Sequence, residues 1–263
     1  MTDPVSRTIL LLDIERYSDR DDVEQAYLRR MLYDITDRTL TVAGVDETIR
    51  QRADRGDSVM ELMEASASVP ALLRTLLTEV PAQLRTVNRM TSSSAQIRLR
   101  GVLASGYVAI DERDGWVGSD LNHACRLLDA TVLRAALRER GDGFALCVSD
   151  SVYQGIVRHD HHGVPAAEFH QVELDSKNGT LTAYLHGPVP RVPGTAGSGP
   201  AASARAGAAA PDTVPTAPGA SYHFSGGSQS FGGSLVNGDQ NILPGGTVTG
   251  DVVLGTKNTE DRT

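Results

Sequence analysis

The 263-residue sequence predicts an α+β fold: a ferredoxin-like βαββαβ sandwich, then a disordered linker and a glycine-rich tail. Three observations lead there. Strand-like apolar runs and helical 3.6-residue patterns succeed one another in the order strand, helix, strand, strand, helix, strand over the first 187 residues. Hydrophobic residues make up 40% of the chain, enough for a real core. Composition changes sharply after Gly187.

Each element has its own justification. Arg7 to Ile14 is β-prone and apolar, and an acid stands at its end, as in a buried central strand. Asp21-Asp22 precedes Val23, Tyr27, Leu28, Met31, Leu32 and Ile35 at helical spacing, with the acids where the helix dipole favours them. Thr48 to Leu62 reads as two strands joined by a tight turn at Arg55-Gly56-Asp57. Leu72, Leu73, Leu76, Leu77, Val80 and Leu84 mark a second helix, opened by Pro70 and expected to kink or break at Pro81. Ala95 to Ile110 reads as a long strand, and Asp111 to Ser119 as a loop. Leu121 to Leu137 is a third helix or helix pair, Phe144 to Val148 a strand and Asp150 to Val157 a short helix. Lys177-Asn178-Gly179 between alternating runs signals a hairpin over Val172 to Leu185.

Three regions follow: a folded domain at 1–187, a linker at 188–221 and a tail at 222–263. In the linker 22 of 34 residues are Ala, Pro or Gly, too few large apolar side chains to offset the entropy of ordering. The tail spaces nine glycines among Phe224, Phe231, Leu235, Val236, Ile242, Leu243, Val248, Val252, Val253 and Leu254. One copy buries too little for a core, whereas stacked copies pair backbones and like side chains, so homotypic self-association is expected beside the alternative of an unpartnered coil.

Charge and cysteine content exclude several classes. The chain has 25 basic and 33 acidic residues, net −8, which disfavours nucleic acid as a partner. Cys125 and Cys147 lie inside apolar patterns and read as reduced core residues of a cytoplasmic protein. The early apolar run Ile9 to Leu12 is far shorter than the roughly 20 residues of a membrane span, so no membrane association is expected. No GxxxxGK[ST], HExxH or GxSxG motif occurs, which leaves P-loop ATPases, zincins and serine hydrolases without support.

Two acids stand next to tight turns at predicted strand ends, Asp13 after Leu10-Leu11-Leu12 and Asp57 after Gly56. A carboxylate directly after a buried strand is costly unless a cation satisfies it, and hard oxygen ligands suit magnesium held with nucleotide phosphates. A loop cap at Asp13 and a turn residue at Asp57 account for the same pattern. Asn122 and Arg126, at i and i+4, share a helix face and can address one ligand. His159, His161 and His162 with Asp160 lie in a polar loop lacking a matching ligand pair; Cys125 lacks a basic partner; Trp116 reads as a loop anchor as readily as a stacking residue.

Together these pieces resemble the class III nucleotide cyclase catalytic domain, over roughly residues 5 to 187. The matching residues are Asp13-Ile14-Glu15-Arg16-Tyr17-Ser18 after a strand, Gly56-Asp57-Ser58-Val59-Met60 in a hairpin, and Gly118 followed by Asn122, Ala124 and Arg126 on a helix. The chain looks most like a divergent actinobacterial branch. The resemblance implies that Asp13 and Asp57, with the Ile14 carbonyl, hold two divalent ions, Mg or Mn, per site. It implies that Asn122 aligns the ribose and Arg126 stabilises charge on the transferring phosphorus. It also implies a head-to-tail homodimer in which the two pairs come from opposite subunits, with a nucleoside triphosphate as substrate. The family's base-selecting lysine position is Ala53 here and its acidic partner position is Gly115, so base recognition is absent or rebuilt through Arg52, Arg55 or Asp114. Lys177 stands near the place of the family's late phosphate-binding lysine. Three functions are open on this basis: a nucleotide cyclase in signalling, a nucleotide-binding sensor that dimerises without turnover, and a scaffold for the tail.

A peptide spanning Tyr222 to Lys257 is expected to form β-rich assemblies at micromolar concentration, read by circular dichroism and light scattering. A monomeric coil, also in the presence of the full chain, would make the tail no more than a tail.

Overall fold

The structure, a computed structural model, describes residues 2–113, 115–176 and 179–191, with backbone only at 175 and 176. Asp114, Lys177, nearly all of the linker and the whole tail lie outside the described residues.

Eight strands form the sheet: β1 (Val5–Ile14), β2 (Arg50–Asp54), β3 (Ser58–Glu64), β4 (Leu99–Ile110), β5 (Trp116–Val117), β6 (Phe144–Ser149), β7 (Phe169–Ser176) and β8 (Gly179–His186). Their order is β2-β3-β1-β4-β6-β8-β7, with β5 paired to β4. β1 runs antiparallel to both β3 and β4, and β4 parallel to β6. The first four strands therefore have the expected ferredoxin-like arrangement, which β6 and the β7–β8 hairpin extend on one side.

Alternation along β1 explains the layers. Leu10, Leu12 and Ile14 enter one core with α1 (Asp22–Val42), α2 (Val69–Arg89) and α5 (Asp150–Gly155). Ile9 and Leu11 enter the other with α3 (Ser119–Leu128) and α4 (Thr131–Glu139). Because successive strand side chains point to opposite faces, a strand apolar at every position needs cover on both. The sandwich thus has a third layer. Asp13, in phase with Ile9 and Leu11, belongs to the α3 face.

Local chemistry sets the element ends. The Asp21 side chain accepts from the Glu24 N–H at the start of α1, and Ser68 accepts from Ala71 N–H at the start of α2. Three expectations need correction. Pro81 neither ends nor splits α2, which continues to Arg89; Leu72, Leu76, Val80 and Leu84 are buried on both sides of the proline, so packing holds the helix across the lost hydrogen bond. The strand expected from Ala95 starts only at Leu99. The Asn88 side chain donates to the Ile97 carbonyl at 2.8 Å and accepts from its N–H at 2.8 Å, which removes Ile97 from any ladder. The loop expected over Asp111 to Ser119 contains β5: Asp111 Oδ1 accepts from the Arg113 and Gly115 N–H groups, folding the chain back so that Trp116 pairs with Ile110.

A charge cluster pins the edge strand β2 to α1. Glu61 of β3 is 0% exposed and accepts from Arg50 at 3.0 Å and from Arg52, and both arginines also reach Asp37 of α1, at 3.1 and 2.5 Å. Arg52 lies over the Tyr33 ring at 4.9 Å, and Arg29 pairs with Asp54. Burial pushes the Glu61 carboxyl up, opposed by the two arginines. Removing one member of such a buried set leaves uncompensated charge. Glu61→Ala is expected to cost about 3 kcal/mol in urea denaturation of the full chain; a loss below about 1 kcal/mol, the range of exposed pairs, would contradict this account of the edge.

Candidate functional site

The end of β1 and the β2–β3 turn bring two acids together. Asp13 pairs in register with Ser58, and the Ile14 N–H donates to the Asp57 carbonyl at 3.0 Å, so Asp13, Ile14 and Asp57 share one corner of the sheet. Gly56 makes the turn with φ 84°, a left-handed conformation that favours glycine, and its N–H donates to Asp54 at 2.8 Å. Asp13 is buried while Asp57 is half-buried. Burial pushes the Asp13 carboxyl up to about 6; the Arg100 guanidinium opposes the shift, and the nearby charges of Asp57 and Asp129 add to it.

Arg100 of β4 is the cross-strand neighbour of Asp13 and donates to Asp13 Oδ2; a second nitrogen donates to the Leu128 carbonyl at the end of α3, at 3.3 Å. One step along, Arg98 donates to Glu15 at 2.8 Å and to the carbonyls of Leu137 and Arg140 at the end of α4. Each arginine thus joins an acid at the end of β1 to the carbonyl end of a helix, where positive charge is favoured.

Helix α3 carries the second half of the expected site. Gly118 admits it close to the sheet, since a Cβ there would lie 2.5 Å from the Tyr107 carbonyl. The Asp120 carboxylate accepts from the Tyr107 N–H at 2.9 Å, and Leu121, Ala124 and Leu127 face the core. Asn122 and Arg126 share the exposed side. Asp13 and Asp57 form one group at the sheet corner, and Asn122 and Arg126 another on the exposed side of α3.

The remaining sequence-derived candidates separate. Arg55 lies near Cys125 of α3, on the Asp13 side, where its charge partly opposes the burial that pushes the Cys125 thiol up. Arg52 is not brought to the acids: it is held by Glu61 and Asp37 on the α1 face. Asp114 and Lys177 lie outside the described residues. The raised thiol of Cys125, and that of Cys147, pushed up to about 12 by burial, suit core residues rather than nucleophiles. Trp116 packs against the core beneath α3 and α4. A cavity of about 320 Å³ between α1 and α2, lined by Asp34, Arg38, Glu79 and Gln83 among others, opens on the face away from Asp13.

Sequence reasoning missed Arg100 and Asp129. The signal for Arg100 was an arginine inside the apolar run Leu99 to Ala104, which demands a buried acid; which acid depends on a strand register that spacing does not provide.

Does the corner suit a divalent ion? Among the described residues no three His, Cys, Asp or Glu side chains gather around one point. Two carboxylates are nevertheless the protein share that magnesium commonly takes, the remainder being phosphate oxygens and water. Burial is the main cause of the raised Asp13 carboxyl, and a cation at this corner would favour its ionised form, as Arg100 already does. The residues present fit such an ion.

No family model matches the sequence, and no curated protein matches it. Among solved structures, the guanylyl cyclase Cya2 superposes with a TM-score of 0.50 at 15% identity, over 73% of this chain and 96% of that one. The adenylate/guanylate cyclase/hydrolase from Silicibacter pomeroyi aligns at 20% identity over 71% and 99% of the two chains, with a TM-score of 0.48. The guanylate cyclase domain of RhGC from Catenaria anguillulae, in complex with GTP, aligns at 18% identity over 73% and 100%, with a TM-score of 0.47. The Cya2 match shows that the described domain has the nucleotide cyclase fold.

The Asp13 shift predicts a pH dependence. The folded chain keeps this proton up to about pH 6, whereas an unfolded aspartate loses it near 3.8. Between those values the folded state binds more protons, so stability falls as pH rises through the window and changes no further above it. Relative to Asp13→Asn, the wild-type chain should lose about 2 kcal/mol between pH 4 and 6 in metal-free urea denaturation. Parallel curves for the two proteins would contradict the burial assigned to Asp13.

Proposed function

We propose that the chain is a nucleotide cyclase-like signalling protein that binds a nucleoside triphosphate with Mg or Mn and directs the ribose 3′-hydroxyl onto the α-phosphate, giving a cyclic nucleotide and pyrophosphate. The observation that carries this reading is the meeting of Asp13 and Asp57 at one corner of a cyclase-type sheet, with Asn122 and Arg126 side by side on the exposed face of α3.

A divalent ion, when bound there, would lower the pKa of the attacking hydroxyl and neutralise phosphate charge. Asp13 and Asp57 would hold it, with the Ile14 carbonyl at the end of β1. Arg126 places a permanent positive charge against the phosphorus where negative charge develops, and Asn122 orients the ribose through hydrogen bonds. Exposure of these two residues supports their action on a second copy of the chain, in a head-to-tail homodimer with two composite sites. Arg55 stands on the correct side to meet base or phosphate; Arg52 is occupied elsewhere. The tail from Tyr222, joined through the linker, would bring chains together by self-association and raise their effective concentration.

A second reading, a nucleotide-binding sensor without turnover, is favoured by Ala53 and Gly115 at the positions where the resembling family selects its base. Both readings share the metal–nucleotide corner and part on chemistry alone. The deciding experiment incubates the full chain with each of the four nucleoside triphosphates and Mn and resolves products by mass spectrometry. A cyclic nucleotide, lost in Asp13→Ala and Asp57→Ala and reduced about 10²–10³-fold in Arg126→Ala, is the expected outcome. Nucleotide bound but unchanged supports the sensor, and metal-dependent binding unaltered by both Asp variants contradicts both readings.

Assembly is tested by mixing inactive chains. An Asp57→Ala chain with an Arg126→Ala chain should recover roughly a quarter of wild-type turnover, since half of the random dimers hold one intact site of two. A mixture no better than either variant alone would contradict composite sites.

A further inference from the structure

The cavity between α1 and α2 takes no part in the chemistry proposed for the Asp13 corner. Its volume, about 320 Å³, is at the small end for small-molecule sites, which span roughly 300–1,000 Å³. Met31 and Ile35 of α1 and Ala82 and Val87 of α2 supply the apolar part of its wall, and Ile35 is buried. Gln83, also in the wall, donates to Thr39 at 3.4 Å and so bridges the two helices beside the hollow.

Three charged side chains stand around this apolar surface: Asp34 and Arg38 of α1, both exposed, and Glu79 of α2, half-buried. Asp34 and Arg38 lie at i and i+4, a spacing that favours pairing on a helix. No ion pair joins them, and none of the three has a hydrogen-bond or ion-pair partner among the described residues. Opposite charges therefore stand unpaired at the edge of one hollow, and this combination selects a ligand class. A bare ion gains nothing from the apolar wall, and a hydrocarbon would cover charges without pairing them. A nucleotide brings several negative charges to a rim that holds two acids and one base. A small molecule with one positive group, one negative group and an apolar body meets every part.

We propose that this cavity binds a zwitterion of the α-amino acid class with an apolar side chain. Arg38 takes the carboxylate, for which a planar guanidinium is well shaped, and Glu79 takes the ammonium. The ligand's side chain lies against Met31, Ile35, Ala82 and Val87. The site is separate from the Asp13 corner, and the inference does not depend on nucleotide binding there.

The test is calorimetric titration of the full chain, without metal or nucleotide, with L-leucine, L-methionine and L-phenylalanine, each up to about 10 mM. At least one should bind. The strongest binder should lose about tenfold or more in affinity when replaced by the amine that lacks its carboxylate or the acid that lacks its ammonium. Arg38→Gln and Glu79→Gln should each weaken it about tenfold. Ala82→Leu, which fills the hollow, should abolish binding; if that chain does not fold, the two rim variants decide. No binding of any of the three amino acids overturns the inference. So does binding that the variants leave unchanged, or an amine or acid that binds as tightly as its parent amino acid.

Discussion

The structure turns on one constraint: a central strand buried on both faces ends in a carboxylate. β1 places Ile9 to Leu12 in two cores at once, and Asp13 follows with no break in burial. An acid there must be answered by positive charge, and the fold answers from the neighbouring strand. Arg100 takes the Asp13 carboxylate and the end of α3; Arg98 takes Glu15 and the end of α4. The helices that cover the second face are therefore tied at their carbonyl ends to the same corner where Asp57 arrives. Packing and site are one arrangement, and a change in the charge of the corner is felt in the layer above it.

Much of this was legible in the sequence because it is local. Periodicity gave the order of elements, Asp21 and Ser68 announced helix starts, and the Gly56 turn placed Asp57 beside a strand end. Where reading failed, a distant partner decided. Asn88 capturing Ile97 delays β4, a buried helix face carries α2 through Pro81, and Asp111 folds a supposed loop into a strand pair. Arg52 and Arg55 are three residues apart, yet they separate to opposite faces, since one lies in the β2 ladder and the other in the turn beyond it. The pairing of Asp13 with Arg100 bridges 87 positions and depends on register, which no spacing in the chain encodes.

In the proposed function, division of the site between two surfaces would give the protein a means of control. The acids are fixed in the sheet corner, whereas Asn122 and Arg126 stand on an exposed helix face held close by Gly118. In the proposed function neither surface completes the chemistry within one chain, so output follows the concentration of paired chains. In the same proposal the tail, whose composition suits self-association, would raise that concentration. A sensor without turnover would use the same two surfaces.

The most direct measurement is Mn anomalous diffraction from crystals of the protein grown with a 3′-deoxynucleoside triphosphate. The account predicts an anomalous peak between the carboxylates of Asp13 and Asp57, touching the triphosphate, with Asn122 and Arg126 of a second chain facing the nucleotide. A nucleotide bound elsewhere, or at this corner with no metal density between the two acids, would contradict it.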